Sequence, residues 1–96
     1  MNVYANFEAI LKAHNEQYPI LTERMSDVYA EQEAIKSWRK KEADIIDQFK
    51  QACFEYYGIA KSPKRELAWN MAWEEGHGNG LAEVEIYLSK YSELIR

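Results

Sequence analysis

Residues 22–57, TERMSDVYAEQEAIKSWRKKEADIIDQFKQACFEYY, contain neither glycine nor proline, and they decide the fold class. Apolar side chains recur at Val28, Ile35, Trp38, Ile45, Phe49, Ala52 and Tyr56, at spacings near three and four. That is the period of a helix with one buried face, and Met25, Ile46 and Cys53 widen the face. Glu42 interrupts the seam, so it is not the stripe of a regular coiled coil. The end of the helix is well marked. Gly58 supplies the left-handed conformation that closes a helix, and Ile59 is placed to fold back onto Phe54.

Upstream, Phe7, Ile10, Leu11, His14 and Tyr18 predict a first helix over residues 3–17. Tyr18-Pro19 is expected to end it, because the residue before a proline is pushed out of helical geometry. Downstream, Ser62 is a suitable N-cap and Pro63 suits the first helical position of a third helix. Leu67, Ala68, Met71 and Ala72 make one face of it, and Trp69 and Trp73 a neighbouring stripe. Gly76-His77-Gly78-Asn79-Gly80 breaks the chain, and Leu81, Val84, Leu88, Tyr91 and Ile95 give a fourth amphipathic helix. No segment alternates as a strand does. The reading is all-α: an elongated bundle of four helices in one domain over residues 1–96, with one long central helix.

Length constrains the packing. An unbroken second helix is roughly 54 Å long, at about 1.5 Å per residue. A compact domain of this size has a radius of gyration of only about 12–13 Å. The third and fourth helices together could line much of that length, and the first could cover the rest. A homodimer whose overhang packs on a partner satisfies the same constraint, as does a break near Gln32 or Glu33, where the seam is weakest.

Composition narrows the setting. With 47% hydrophobic residues, seven Tyr, three Trp and three Phe, the chain has the means to build a core and is not of the disordered class. A net charge of −4 makes general attachment to nucleic acid or to a membrane surface the less expected behaviour. Cys53 is the single cysteine, so no disulfide forms within the chain, which suits a reducing compartment. The N-terminus does not read as a signal peptide, no stretch approaches the ~20 apolar residues of a membrane helix, and the expected location is the cytoplasm.

Several residues are candidates for a binding site. The connector Gly76, His77, Gly78, Asn79 and Gly80 offers a free backbone at a helix N-terminus, where unpaired N–H groups favour an anion. Its spacing matches neither the Walker pattern nor the dinucleotide fingerprint, and a tight helix–helix turn, with glycines allowing close packing and Asn79 or Gly80 capping the fourth helix, is the preferred reading. Lys36, Arg39, Lys40 and Lys41 gather on the second helix, and Lys61, Lys64 and Arg65 around the start of the third. Cations at a helix N-terminus oppose its dipole, which is a reason to look for an anionic partner. The alternative is a solvated face. Trp69, Trp73 and Tyr87 could present aromatic surface to a partner, or simply pack the core. His77 with Glu74, Glu75 and Glu83, and the distant His14 and Cys53, do not amount to a metal-ligand pattern, and no metal or cofactor is expected. His14 reads as a core-edge histidine bonded to a neighbour, and Cys53 as a small buried residue. No motif pairs a nucleophile with a base, so the chain does not read as an enzyme.

Residues 72–95 resemble the C-terminal part of a group of small proteins encoded by tailed bacteriophages. Their signature has the form Ala-Trp-x-x-Gly-His-x-x-Gly-x-x-Glu-Val, followed by an aromatic amphipathic helix that ends in Leu-Ile. Here the matching residues are Ala72, Trp73, Gly76, His77, Gly80, Glu83 and Val84, then Tyr87, Tyr91, Leu94 and Ile95. Tyr57-Gly58 and Ser62-Pro63-Lys64 resemble the segment that precedes the signature. Serine is common between the histidine and the last glycine of that group, where this chain has Gly78 and Asn79. In structural terms Gly76 would be the helix C-cap and Gly80 would permit close approach of the third and fourth helices. His77 would then be held between them near Glu83. The resemblance implies a source and a setting. With the small size and the surplus of aromatics, it leads to the expectation of a non-enzymatic phage accessory factor. Such a factor would bind a host protein, for example a defence component, in the host cytoplasm, and inhibit or redirect it. The alternative is a nucleic-acid or nucleotide-binding module that uses Lys36, Arg39, Lys40, Lys64, Arg65 and the glycine turn.

Overall fold

The computed structural model describes residues 3–24 and 28–95, with residues 19–24 described by their backbone only. The chain is an all-α bundle: α1 (Tyr4–Arg24), α2 (Val28–Tyr56), α3 (Pro63–Gly76), a short 3-10 turn (His77–Asn79) and α4 (Leu81–Leu94). No strand occurs among the described residues.

Two predicted boundaries are corrected. α1 does not stop at Tyr18-Pro19 but runs through the proline to Arg24. An interior proline costs a helix ~3 kcal/mol and a backbone hydrogen bond. Here tertiary contacts hold the turn that precedes it. Trp38 of α2 donates from Nε1 to the His14 carbonyl at 2.8 Å and packs its ring on both His14 and Tyr18, with centroids 4.4 and 4.9 Å away. Residues 22–24 consequently belong to α1, and the long helix begins at Val28 rather than at Thr22. It is continuous across Gln32 and Glu33. Met25, assigned to its seam, lies outside the described residues.

α1 and α2 form an antiparallel hairpin: Phe7 meets Phe49 at one end, and His14 and Tyr18 meet Trp38 farther along. α3 and α4 pack against each other, and α4 also against α1. The core of Phe49, Cys53, Phe54, Ala68, Trp69, Ala72, Leu81, Val84 and Leu88 therefore sits at one end of the hairpin. Every buried residue of α2 is Ile45 or later. Its N-terminal half has α1 as its neighbour, and α4 does not line it as expected. Val28 and Tyr56, read as seam residues, are exposed. This overhang gives the molecule its length: it measures 52 × 26 × 20 Å, with a radius of gyration of 15.8 Å.

The turn between α2 and α3 forms as its residues predict. Gly58 has φ 63°, its N–H donates to the Glu55 carbonyl, and the Ile59 N–H reaches back to the Phe54 carbonyl at 2.9 Å. Both side chains of the accompanying apolar contact, Phe54 and Ile59, are buried. Ser62 caps α3 by accepting from the Arg65 N–H. The buried face of α3 keeps Ala68 and Ala72 of the predicted face and adds Trp69 and Gly76, while Leu67 and Met71 are exposed. Small residues at every fourth position let α4 approach closely, which leucine and methionine would prevent.

One buried carboxylate joins three helices. Glu85 of α4 is 2% exposed and accepts hydrogen bonds from the Val3 and Tyr4 N–H groups and from the Tyr57 hydroxyl. It acts as an N-cap for α1 supplied from a distant part of the chain. Its charge lies near Cys53, whose thiol is pushed up to about 12, first by burial and then by Glu85. The folded value exceeds the ordinary 9.0, so the unfolded chain ionises first. The stability gained from the neutral thiol is present below pH 9 and is lost as pH rises toward about 12. Tyr57 is also pushed up, by burial and by Glu85, and adds a later loss from about pH 10. Urea titrations across this range should give a Cys53→Ala variant a flatter alkaline limb than the wild type between pH 9 and 10. Parallel limbs would refute the thiol's share.

Candidate functional site

Trp69 and Trp73 stand one helical turn apart on α3 and His77 one turn further at its C-cap, so their rings stack along its flank. Trp69 and Trp73 are 5.8 Å apart with planes at 26°, and Trp73 and His77 are 5.3 Å apart at 10°. The lower rung is core, because Trp69 packs edge-on to Phe49 and Phe54. Its candidacy as a partner-binding residue is thereby corrected: it is 6% exposed. Trp73 is half-buried and His77 exposed, so the ladder leads from the core to the surface. His77 is not held between α3 and α4 as expected. Its backbone N–H and its ring Nδ1 both meet the Trp73 carbonyl, the ring at 2.6 Å. A carbonyl only accepts, so Nδ1 carries the proton and Nε2 is left outside this bond.

Beside the ladder, α2 and α3 enclose a groove lined by Ala43, Ile46, Asp47 and Lys50 together with Trp69 and Trp73. The Lys50–Glu66 ion pair ties the two helices where α3 begins. The chemistry offered is an apolar strip with the Asp47 carboxylate at its side, which suits docking a side chain. Among the described residues, no three His, Cys, Asp or Glu side chains converge as a metal would require. The Cys53 thiol is fully buried and held neutral, which disqualifies it as a nucleophile.

The glycine turn corrects one predicted role. Gly76 is not the C-cap: it is the last residue of α3, in right-handed geometry, and His77 is the cap. A Cβ on Gly76 would lie 2.6 Å from the Val84 nitrogen and 2.8 Å from the Glu83 carbonyl carbon, so Gly76 is the point of close approach. Gly80, read both as a point of close approach and, with Asn79, as a candidate cap of the fourth helix, takes the second role: it supplies φ 104° as the N-cap of α4. A side chain there would begin 3.7 Å from a Glu8 carboxylate oxygen. The adjoining groove is lined by Glu8, Leu11, Lys12, Asn15 and Glu16 with Gly80 and Leu81. Two carboxylates against one ammonium make a poor anion nest. Gly78 and Asn79 are exposed, and nothing lies within 4 Å of a Cβ built on Gly78.

The basic candidates separate. Arg65 is occupied within the fold: its guanidinium lies 4.2 Å from the Phe54 ring centroid, and Nη1 donates to the Ile59 carbonyl. Lys64 is exposed beside it. Lys36, Arg39 and Lys40 are exposed on α2, roughly 24 Å of helix before its C-terminus. The two clusters do not form one patch. His14 is buried and stacked on Trp38, but its ring nitrogens find no partner among the described residues, unlike the bonded ring expected. Sequence reasoning passed over Glu85 and the groove residues Ala43 and Asp47. A signal for Glu85 existed: Leu81, Glu85, Leu88 and Ser92 share one helical face, so a carboxylate sits on the apolar stripe.

The whole chain, residues 1–96, matches a family described as a family of unknown function (DUF8546). No curated protein and no solved structure matches it.

Proposed function

Because the chain belongs to that family of unknown function, no activity comes with its kinship, and we propose from its surface that it is a non-enzymatic protein-binding factor. One observation carries this reading. The phage-like signature divides into residues enclosed by the fold and residues that keep part of their surface in solvent. Ala72 and Val84 fill the core, Gly76 admits α4, and Gly80 makes the turn. Trp73 and His77 are left at the surface end of the aromatic ladder, beside an apolar groove. Trp is prominent among the residues that dominate interface energetics. The resemblance to phage proteins supports a host protein as the target, and inhibition or redirection as the outcome, in the host cytoplasm. No helix of the described residues is long and apolar enough to cross a membrane.

An affinity pull-down from bacterial lysate tests the reading, with wild type compared against a Trp73→Ala, His77→Ala variant of verified helicity. The expected result is one host protein recovered stoichiometrically with the wild type and reduced about tenfold or more in the variant, the scale of a hot-spot loss. Equal recovery by both proteins removes the ladder from the interface. Recovery of nothing, or only of nucleic acid that salt releases, rejects the reading.

A further inference from the structure

α3 folds back toward α2, meets it through long side chains and reaches only its C-terminal half. Glu66 meets Lys50, Trp69 meets Phe49 and Phe54, and Trp73 shares a groove with Ala43 and Ile46, so contacts move toward the N-terminus of α2 as α3 proceeds. Lys36, Arg39, Lys40, Ala43, Asp47 and Lys50 fall on one side of α2 by helical spacing. α3 accompanies that side only as far as Ala43. Beyond it, Lys36, Arg39 and Lys40 are exposed, and a second groove is lined by Gln32, Ile35, Lys36 and Arg39, with half-buried Ile35 as its apolar part.

No described residue answers the charge on this stretch with an ion pair, although Glu33 and Asp44 lie nearby on the same helix. Lys36 and Lys40, four residues apart, repel each other. We infer that this face of α2 seats an acidic amphipathic helix of a partner protein, placed end to end with α3. The inference rests on the protein-binding reading and names the chemistry of the partner. An apolar side chain of the incoming helix covers Ile35, and carboxylates on either side meet Lys36, Lys40 and Arg39. Charge complementarity of this kind sets orientation and partner choice. A nucleic-acid backbone satisfies the cations but leaves Ile35 uncovered, and a long polyanion is opposed by the chain's net charge of −4.

The test is fluorescence anisotropy at low salt with three labelled probes. They are a short amphipathic peptide of Leu and Glu, its counterpart with Lys for Glu, and a mixed-sequence single-stranded DNA. Each is titrated with wild type and with a Lys36→Glu, Arg39→Glu variant of verified helicity. The wild type should bind the acidic peptide about tenfold or more tightly than the basic one, and the variant should reverse that preference. The inference is overturned if the acidic peptide does not bind, if the variant binds as the wild type does, or if DNA binds more tightly than the peptide. Self-association that the variant abolishes would assign the face to a second copy and overturn it as well. The pull-down separates the two readings. A host partner captured equally by wild type and charge-reversed variant overturns this surface and leaves the protein-binding reading standing. A clear peptide preference with an empty pull-down supports this surface and rejects a host protein held by the Trp73–His77 ladder.

Discussion

A Gly76→Ala variant is expected to lose about 3 kcal/mol of folding stability, at the upper end of what overpacking usually costs. Alanine is the better helix former by up to ~1 kcal/mol, so an exposed glycine in a helix would respond in the opposite direction. Packing decides the sign. The new Cβ would lie 2.6–2.9 Å from the nitrogen and Cα of Val84 and the carbonyl carbon of Glu83. These are backbone atoms of α4, which cannot swing away as a side-chain tip can. α4 is itself anchored by Leu81, Val84 and Leu88, all in the core, so relief means prising the two helices apart. For a domain of this size the loss corresponds to roughly 12–24 °C in Tm. Gly78→Ala, two positions along the same turn, is the control. Nothing lies within 4 Å of its Cβ position, and its effect should stay within about ±0.5 kcal/mol. Urea denaturation of both variants, monitored by helical circular dichroism, makes the comparison. Equal stabilities would falsify the close-approach account of Gly76.

The contrast between those two glycines marks where sequence reading stopped. Features fixed by local chemistry were readable. The long apolar period between Val28 and Tyr56 could only be helix, and Gly58 with Ile59 and Ser62 with Pro63 carried their own geometry. Features fixed by a neighbour were not. Pro19 argued for a helix end because Trp38, which holds the turn before it, lies twenty residues or so further along. Leu67 and Met71 outranked Ala68 and Ala72 in hydrophobicity, but the requirement at that surface was small size, set by α4. Three glycines within five residues announced a turn without saying which one met another backbone and which needed positive φ. The candidate site follows the same division. The four-residue spacing of Trp69 and Trp73 gave their stripe, whereas His77 was not joined to it and the groove beside it depended on Ala43, Ile46 and Asp47 from another helix.

Glu85→Ala should cost about 4 kcal/mol, within the range for removing one partner from a buried charged network. The carboxylate accepts from the Val3 N–H at 3.2 Å, the Tyr4 N–H at 2.6 Å and the Tyr57 hydroxyl at 2.5 Å. Alanine leaves all three donors facing a cavity that solvent enters poorly, and it removes the negative charge from the N-terminus of α1. Glu85→Gln is not a rescue, because its amide turns one acceptor into a donor toward groups that already donate. It should lose about 2–3 kcal/mol on the same scale. Tyr57→Phe deletes the hydroxyl's bond to a charged acceptor and should cost about 1.5–2 kcal/mol. In a double-mutant cycle the Tyr57→Phe penalty should shrink by about 1 kcal/mol or more in the Glu85→Gln background, because the bond is already weakened there. Hydrogen exchange adds a local readout: the first turn of α1 should lose protection in Glu85→Ala before the α3–α4 pair does. Removing the charge also removes the secondary cause that holds the Cys53 thiol up, so thiol titration in Glu85→Gln should begin at lower pH than in the wild type, while burial keeps it above 9.0. An alanine variant within about 1 kcal/mol of wild type would mean that dehydrating the carboxylate cancels its three bonds. α1 would then be held by Phe7, Leu11 and the Trp38 contacts alone. The exchange pattern separates these cases, since only a working cap makes the end of α1 open first when Glu85 is lost.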